Sequence, residues 1–154
     1  MSETNRQFRA TELKELKLNL SPIRPNWVLE GNPVARNQLL SVSADGAARS
    51  YIWDCTAGRF NWFYEAEESI YVIEGGVVIK DARTVRRLSA GDTIVFAPGA
   101  RVEWQVEHYI RKFALIRTPL PRPLVLAQRG YRFVKRLVRV GERKDAGFGM
   151  LESG

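Results

Sequence analysis

The sequence predicts an all-β fold, either a barrel or a double-sheet roll. Short apolar runs of strand length follow one another from residue 38 to residue 117, with glycine, Asp-Gly or Pro-Gly punctuation between them. No helical period occurs among these runs, which argues against a parallel α/β fold. A length of 154 residues, 45% of them apolar, suits one globular domain with a substantial core.

Residues 1–37 are predicted to form a short helix followed by an extended arm. Thr11 is placed to cap a helix that carries Leu13 and Leu16 on one face. The three prolines in residues 21–33 then favour an extended chain at an edge of the barrel or across one of its ends, because proline cannot donate to a β-ladder.

Residues 38–117 are predicted to form the barrel from about nine short strands. Turns are expected between them, including turns at Thr56-Ala57-Gly58, at Gly75-Gly76 and at Glu107-His108. The predicted strands are Gln38–Ser43, Arg49–Cys55, Phe60–Tyr64, Ser69–Ile73, Val77–Lys80, Thr84–Leu88, Thr93–Phe96, Val102–Val106 and Tyr109–Arg117.

Residues 118–154 are predicted to form a proline-rich linker, a basic amphipathic helix over residues 124–140 and a flexible tail. Residues 120–144 contain eight Lys and Arg against one acidic residue, so the net charge of +7 belongs to this segment. Apolar residues occupy the opposite side of the helix. The basic arc consists of Arg129, Arg132, Lys135, Arg136 and Arg139.

The cellular location predicted from the sequence is cytoplasmic. The N-terminus is polar and lacks the apolar segment of a signal peptide, and no apolar run approaches the length of about 20 residues that spans a bilayer. Cys55 is the only cysteine, which excludes an intrachain disulfide and suits a reducing compartment.

The spacing around Glu68 resembles the first motif of the cupin superfamily. Glu68 followed by six residues and Gly75 matches the second half of that motif, and Trp62 and Tyr64 stand in its two histidine places. The stretch from Gly91 to Gly99 is similar to the second motif. There the proline is shifted by one position, and Val102 takes the place of the histidine.

The sequence more closely resembles a histidine-poor cupin subgroup related to the cupin domain of ethanolamine-utilisation proteins. This resemblance implies a cupin double-stranded β-helix, or jelly-roll barrel, which is usually paired as a homodimer and has a pocket at one end. The matching positions are Trp53, Cys55, Thr56, Gly58, Phe60, Trp62, Glu67, Glu68, Tyr71, Glu74, Gly75 and Trp104.

The resemblance to the cupin motifs, with their histidines replaced, predicts no metal and no other cofactor. Typical cupins hold Fe, Mn, Ni or Zn with three histidines and one glutamate, because imidazole and carboxylate suit those ions. This chain has a single histidine, His108, which lies outside the motifs, so Glu68 alone matches a metal ligand.

The histidine places of a cupin point into the barrel, which predicts an aromatic-lined pocket for a small polar or sugar-like ligand. The alternative is that the same aromatic side chains simply fill a small barrel. The predicted ligand-binding residues are Trp62, Tyr64, Glu68, Trp104 and Cys55.

Two other classes of function stay open. One is an enzyme of carbohydrate or amine metabolism that uses Glu68 and Tyr64 as acid and base. The other is an interaction subunit whose residues 124–140 contact a protein partner or an anionic membrane surface. Nucleic acid is not favoured as a partner, because no recognition motif accompanies the basic charge.

Overall fold

In a computed structural model of the chain, residues 8–119, 121, 123, 126–127 and 129–135 are described. The chain divides into two compact units, residues 1–119 and residues 120–154. The prediction of an all-β fold is confirmed, and the described residues form eight strands. These are β1 (Asn19–Leu20), β2 (Val28–Gly31), β3 (Ala35–Val42), β4 (Ala48–Phe63), β5 (Glu67–Lys80), β6 (Val85–Ser89), β7 (Thr93–Phe96) and β8 (Arg101–Arg117).

Three long strands, β4, β8 and β5, form the centre of the barrel, with β8 between the other two. Each half of the outer long strands has its own antiparallel neighbour. The first half of β4 pairs with β3 and its second half with β2. The first half of β5 pairs with β7 and its second half with β6. The long strands therefore run through both halves of a jelly roll.

The three turns predicted inside the barrel are wrong, because the chain bends at these places without ending a strand. Residues 56–58 lie within β4, Gly75-Gly76 lies within β5, and Glu107-His108 lies within β8. The pairing shifts register there, between residues 56 and 58 of β4 and between residues 75 and 78 of β5. Bulges and glycines let a strand bend while it keeps its partners on either side. His108 is accordingly a strand residue.

The N-terminal segment is more extended than predicted. The predicted helix is a single 3₁₀ turn at Leu13–Glu15, and the Arg111 side chain of β8 donates a hydrogen bond to the Leu13 carbonyl oxygen at 2.7 Å. Further along, a second 3₁₀ turn at Pro25–Trp27 leads into β2, which pairs at the edge of β4. The expectation of an edge position for this arm is therefore correct.

Strand alternation decides what fills the barrel. On β4, Trp53, Cys55 and Phe60 point inward and belong to one apolar cluster with Ile110 and Trp104 of β8. Asp54 points to the other face of β4 and is almost fully buried. Its carboxylate accepts two hydrogen bonds from the Arg36 guanidinium and one from the Tyr109 hydroxyl, so this buried charge is satisfied.

The second unit contains a short helix, to which residues 123, 126–127 and 129–135 belong. Three residues of the predicted basic arc, Arg129, Arg132 and Lys135, lie in its described part and are exposed. Arg136 and Arg139 lie outside the described residues. No helix in the described part of the chain is long and apolar enough to cross a membrane.

Candidate functional site

A buried ion pair lies inside the barrel. Glu68 on β5 and Lys112 on β8 meet there, and the Lys112 Nζ donates to Glu68 Oε1 at 2.8 Å. The two residues are 7% and 4% exposed, respectively. Removing two charges from water is costly unless they are paired. The pair is therefore a specific feature of the interior.

Two indole rings enclose the Lys112 ammonium group. Its Nζ lies 4.9 Å from the ring centroid of Trp53 and 4.8 Å from that of Trp104. The two rings meet edge to face, with their centroids 5.8 Å apart. Because the face of an aromatic ring attracts a cation, Glu68, Trp53 and Trp104 together form a cage around one ammonium group. We call these three residues the ammonium cage.

Tyr64 lies in the same interior and stacks on Phe96, with ring centroids 4.1 Å apart. Burial raises the pKa of Tyr64 well above its usual value, and the charge of Glu68 raises it further. The Tyr64 hydroxyl therefore stays protonated at neutral pH. Within the described part of the chain, neither this hydroxyl nor the Trp104 indole nitrogen has a well-aligned hydrogen-bond partner. A weak contact between the two groups lowers the pKa of Tyr64 by less than burial raises it. Buried polar atoms of this kind are usually satisfied by water or a ligand.

Cys55 is fully buried on the inward face of β4. Burial raises the pKa of its thiol to about 12, and the neighbouring charge of Asp54 acts in the same direction. Since the thiolate is the reactive form of cysteine, this geometry favours an inert thiol.

We expect Cys55 to resist a thiol reagent in the folded protein. At pH 8, a pKa of about 12 in place of 9.0 lowers the thiolate fraction about a thousandfold, and burial blocks access in addition. Ellman's reagent should release one equivalent of chromophore from the protein in concentrated guanidinium and almost none from the native protein. Equal rates in the two states would show that the thiol is accessible.

The same pKa shift makes folding stability depend on pH. The unfolded thiol loses its proton near pH 9, and the folded thiol loses it only near pH 12. Between pH 9 and pH 12 the unfolded state binds fewer protons than the folded state. The contribution of the Cys55 thiol to the free energy of unfolding is therefore complete below pH 9 and declines as the pH rises towards 12.

Trp62 lies at the edge of this interior and is half-buried. Its ring contacts Phe60 and Trp53, with centroids 6.1 Å away in each case, and meets Trp27 of the N-terminal arm edge to face at 5.5 Å. Trp62 and Trp104 lie on the neighbouring strands β4 and β8, where Phe60 pairs with Trp104 and Trp62 pairs with Val102.

A cleft of about 620 Å³ opens beside Trp62 and Trp27. We call it the mouth cleft. Among the five predicted ligand-binding residues, Trp62 lines it, and the other four lie in the buried interior. Its polar lining comes from the ends of β4 and β5 and the start of β8, and consists of Asn61, Lys80, Asp81, Arg101 and Glu103.

Comparisons with known proteins identify the fold and the family. The model of the EutQ-like cupin domain matches residues 42–114. The chain belongs to the cupin superfamily. Its strand arrangement is that of the cupin jelly roll. EutQ is an ethanolamine-utilisation protein, so the predicted relation to the cupin domain of these proteins is confirmed. No curated protein matches the sequence.

Solved structures similar to this cupin come from several bacteria. The EutQ protein of Clostridium difficile is 18% identical, with a TM-score of 0.57 over 71% of this chain and 86% of that one. A protein of unknown function from Pseudomonas syringae, of the DUF861 family, is 26% identical, with a TM-score of 0.61 over 67% of this chain and 45% of that one. A cupin barrel protein of Rhodopseudomonas palustris is 10% identical, with a TM-score of 0.56 over 70% and 75% of the two chains.

The residues of this cupin do not fit the metal site that typical members of the superfamily carry. Trp62, Tyr64 and Val102 stand in the histidine places and supply no imidazole. The remaining motif ligand, Glu68, is already bonded to the Lys112 ammonium. No group of three or more His, Cys, Asp and Glu side chains in the described residues is arranged to hold a metal ion.

Lys112 is the site residue that sequence reasoning missed. A signal was present, because Ile110, Lys112 and Ala114 alternate along β8 on the face that points into the barrel. A lysine in such a series indicates a buried charge that needs a partner. The sequence did not show which acidic residue that partner would be, since Glu68 lies 44 positions away.

Proposed function

We propose that this cupin binds a small polar or sugar-like ligand at the mouth cleft. The observation that supports this most directly is the open cleft beside the exposed part of the Trp62–Trp27 pair. A volume of about 620 Å³ falls within the range of small-molecule sites. The Arg24 guanidinium lies over the Trp27 ring at 4.8 Å. The Trp62 ring, next to amide, carboxylate and guanidinium groups, suits a ligand with an apolar ring face and several hydroxyl groups.

One basic residue at the mouth cleft, Arg101, favours a ligand that also carries a carboxylate. Glu103 lies within ion-pair distance of both Arg59 and Lys80, at 3.4 and 3.9 Å. The Arg101 guanidinium lies over the Phe63 ring at 4.6 Å, and it takes part in none of the ion pairs among the described residues. Arginine binds a carboxylate through two parallel hydrogen bonds, so Arg101 is suited to a sugar acid.

Catalysis by Glu68 and Tyr64 stays a prediction. The two residues share the interior, where the charge of Glu68 acts on the Tyr64 hydroxyl. Lys112 neutralises Glu68 there, and Tyr64 keeps its proton at neutral pH. Proton transfer needs a group that titrates near the working pH, so the raised pKa of Tyr64 favours a binding role for its hydroxyl.

Pairing of two barrels and contact with a protein or an anionic membrane through the C-terminal helix also stay predictions. The observation that favours such a contact is the exposure of Tyr131 and Phe133 beside Arg132 and Lys135 in the described part of the helix. An apolar and basic surface of this kind suits an interface.

The proposed function is tested with a panel of neutral hexoses, hexuronic acids and amino sugars, with saturation-transfer NMR and tryptophan fluorescence as the measurements. We expect hexuronic acids to bind best. Trp62→Ala should weaken binding about tenfold, because the loss of an aromatic contact costs up to about 1.5 kcal/mol in addition to the loss of buried area. Arg101→Ala should reduce the preference for hexuronic acids over neutral hexoses.

Tyr71→Ala is the control, since Tyr71 is a half-exposed aromatic residue of β5 that does not line the mouth cleft. It should leave binding unchanged. If no member of the panel binds, or if Trp62→Ala and Trp27→Ala bind as the parent protein does, the mouth cleft is not the ligand site.

A further inference from the structure

We propose that Lys112 is a resident cation of this barrel, whose ammonium group takes the place beside Glu68 that a metal ion takes in typical cupins. The ammonium cage is thus a recognition site for a primary ammonium ion, and the chain supplies its own ligand. This inference concerns the interior and does not rest on the proposed function of the mouth cleft.

The carboxylate of Glu68 is the group that a metal ion and Lys112 would both bind. It is the one motif position that keeps a metal-binding side chain, and its Oε1 accepts the hydrogen bond from Lys112 at 2.8 Å. A divalent ion bound to the same carboxylate would lie close to a second positive charge in a poorly solvated interior. Like charges repel strongly in such surroundings. Lys112 and a metal ion therefore compete for Glu68.

The two indole rings of the ammonium cage suit an ammonium ion better than a metal ion. Transition metals need lone pairs from nitrogen, oxygen or sulfur, and the indole faces of Trp53 and Trp104 supply none. The same faces attract an ammonium ion, and both lie within 5 Å of Lys112 Nζ. One carboxylate and two ring faces also match the three N–H donors of an ammonium group. The cage thus has the chemistry for an ammonium ion and lacks that for a metal.

The replacement of the histidines and the presence of Lys112 belong together. An interior with three imidazoles and a free lysine would bind metal poorly, and an interior with neither would leave Glu68 as an unpaired buried charge. In this chain Trp62, Tyr64 and Val102 stand where the imidazoles would be, and the cation comes from β8. The absence of the imidazoles and the presence of Lys112 compensate each other, because the buried carboxylate needs one cation, either a metal ion or an ammonium ion.

The test is chemical rescue. Lys112→Ala removes the atoms of an n-propylammonium ion from the cage. We expect n-propylammonium to raise the melting temperature of Lys112→Ala in a saturable way and 1-propanol, its neutral counterpart, to leave it unchanged. Neither compound should affect the parent protein or Lys14→Ala, in which an exposed lysine is lost. Adding Glu68→Gln to Lys112→Ala should abolish the rescue.

The proposal is overturned if 1-propanol stabilises Lys112→Ala as much as n-propylammonium does. It is also overturned if the parent protein binds one equivalent of Zn²⁺, Mn²⁺ or Ni²⁺ and loses it on Glu68→Gln. Failure of sugars to bind at the mouth cleft would leave these outcomes unaffected, so the two proposals fail separately.

A measurement on the parent protein covers the case in which Lys112→Ala does not fold. With lysine labelled by ¹³C at Cε, the ring currents of two indoles should move the ε-methylene proton signal of Lys112 upfield of the other lysines. The Lys112→Arg spectrum identifies the signal by its loss, and an excess of Zn²⁺ should leave it in place. A Lys112 signal among those of exposed lysines, or one that Zn²⁺ displaces, contradicts the proposal.

Discussion

Lys112→Met should lower the free energy of unfolding by about 3–5 kcal/mol, because it leaves the Glu68 carboxylate buried and without a partner. Glu68→Gln should cost a similar amount, since it leaves the Lys112 ammonium without its counterion. Urea unfolding followed by fluorescence gives both values.

The double variant Glu68→Gln/Lys112→Met separates the interaction from the loss of packing. It should recover a large part of the stability, because neither charge is then left unpaired. Lys80→Met is the matched control, since Lys80 forms a half-buried pair with Glu103 at 3.9 Å that solvent still reaches, and it should change the free energy of unfolding by less than about 1 kcal/mol. Purely additive effects in the cycle would show that Glu68 and Lys112 do not depend on each other.

Gly75→Ala should destabilise the barrel by more than about 3 kcal/mol or prevent folding. Gly75 has a φ of +72°, which costs an alanine of order 1–3 kcal/mol. A Cβ at this position would in addition collide with the backbone carbonyl oxygen of Tyr109 on β8. Backbone held by strand pairing on both sides cannot move away cheaply. The measurement is the midpoint and slope of urea unfolding.

Gly46→Ala is the control for backbone strain alone. Gly46 has nearly the same φ of +70°, and a Cβ there would meet no atom within 4 Å. Its loss of stability should stay within the range for strain, so the difference between the two variants measures the contact with β8. Equal losses would mean that β5 can shift away from β8 at Gly75.

The bends at residues 56–58, 75–76 and 107–108 show where sequence reasoning about the fold stops. The first two contain glycine, as turns often do, and all three were predicted as turns. In the structure the residues before and after each bend keep pairing with the same neighbouring long strand. A bulge and a tight turn use similar residues. The presence of a partner strand on both sides of the bend decides between them.

The candidate site, like the fold, was predictable from the sequence only in part. Motif spacing brought Trp62, Tyr64 and Glu68 to attention, and the structure places Tyr64 and Glu68 inside the barrel with Trp62 at its mouth. Trp27 joins Trp62 only because β2 pairs with the edge of β4 and brings the arm across. Sequence spacing does not encode that contact.

The sequence by itself determined the all-β class and the order of the apolar runs, because run length and composition are local properties of the chain. Only the tertiary structure decided that the nine strands predicted over residues 38–117 join into six, three of them long, and that the N-terminal arm adds β1 and β2. It also decided that Lys112 meets Glu68 between Trp53 and Trp104. The reason is that a buried charge is stabilised by partners brought close in space, and register between distant strands sets which partners those are.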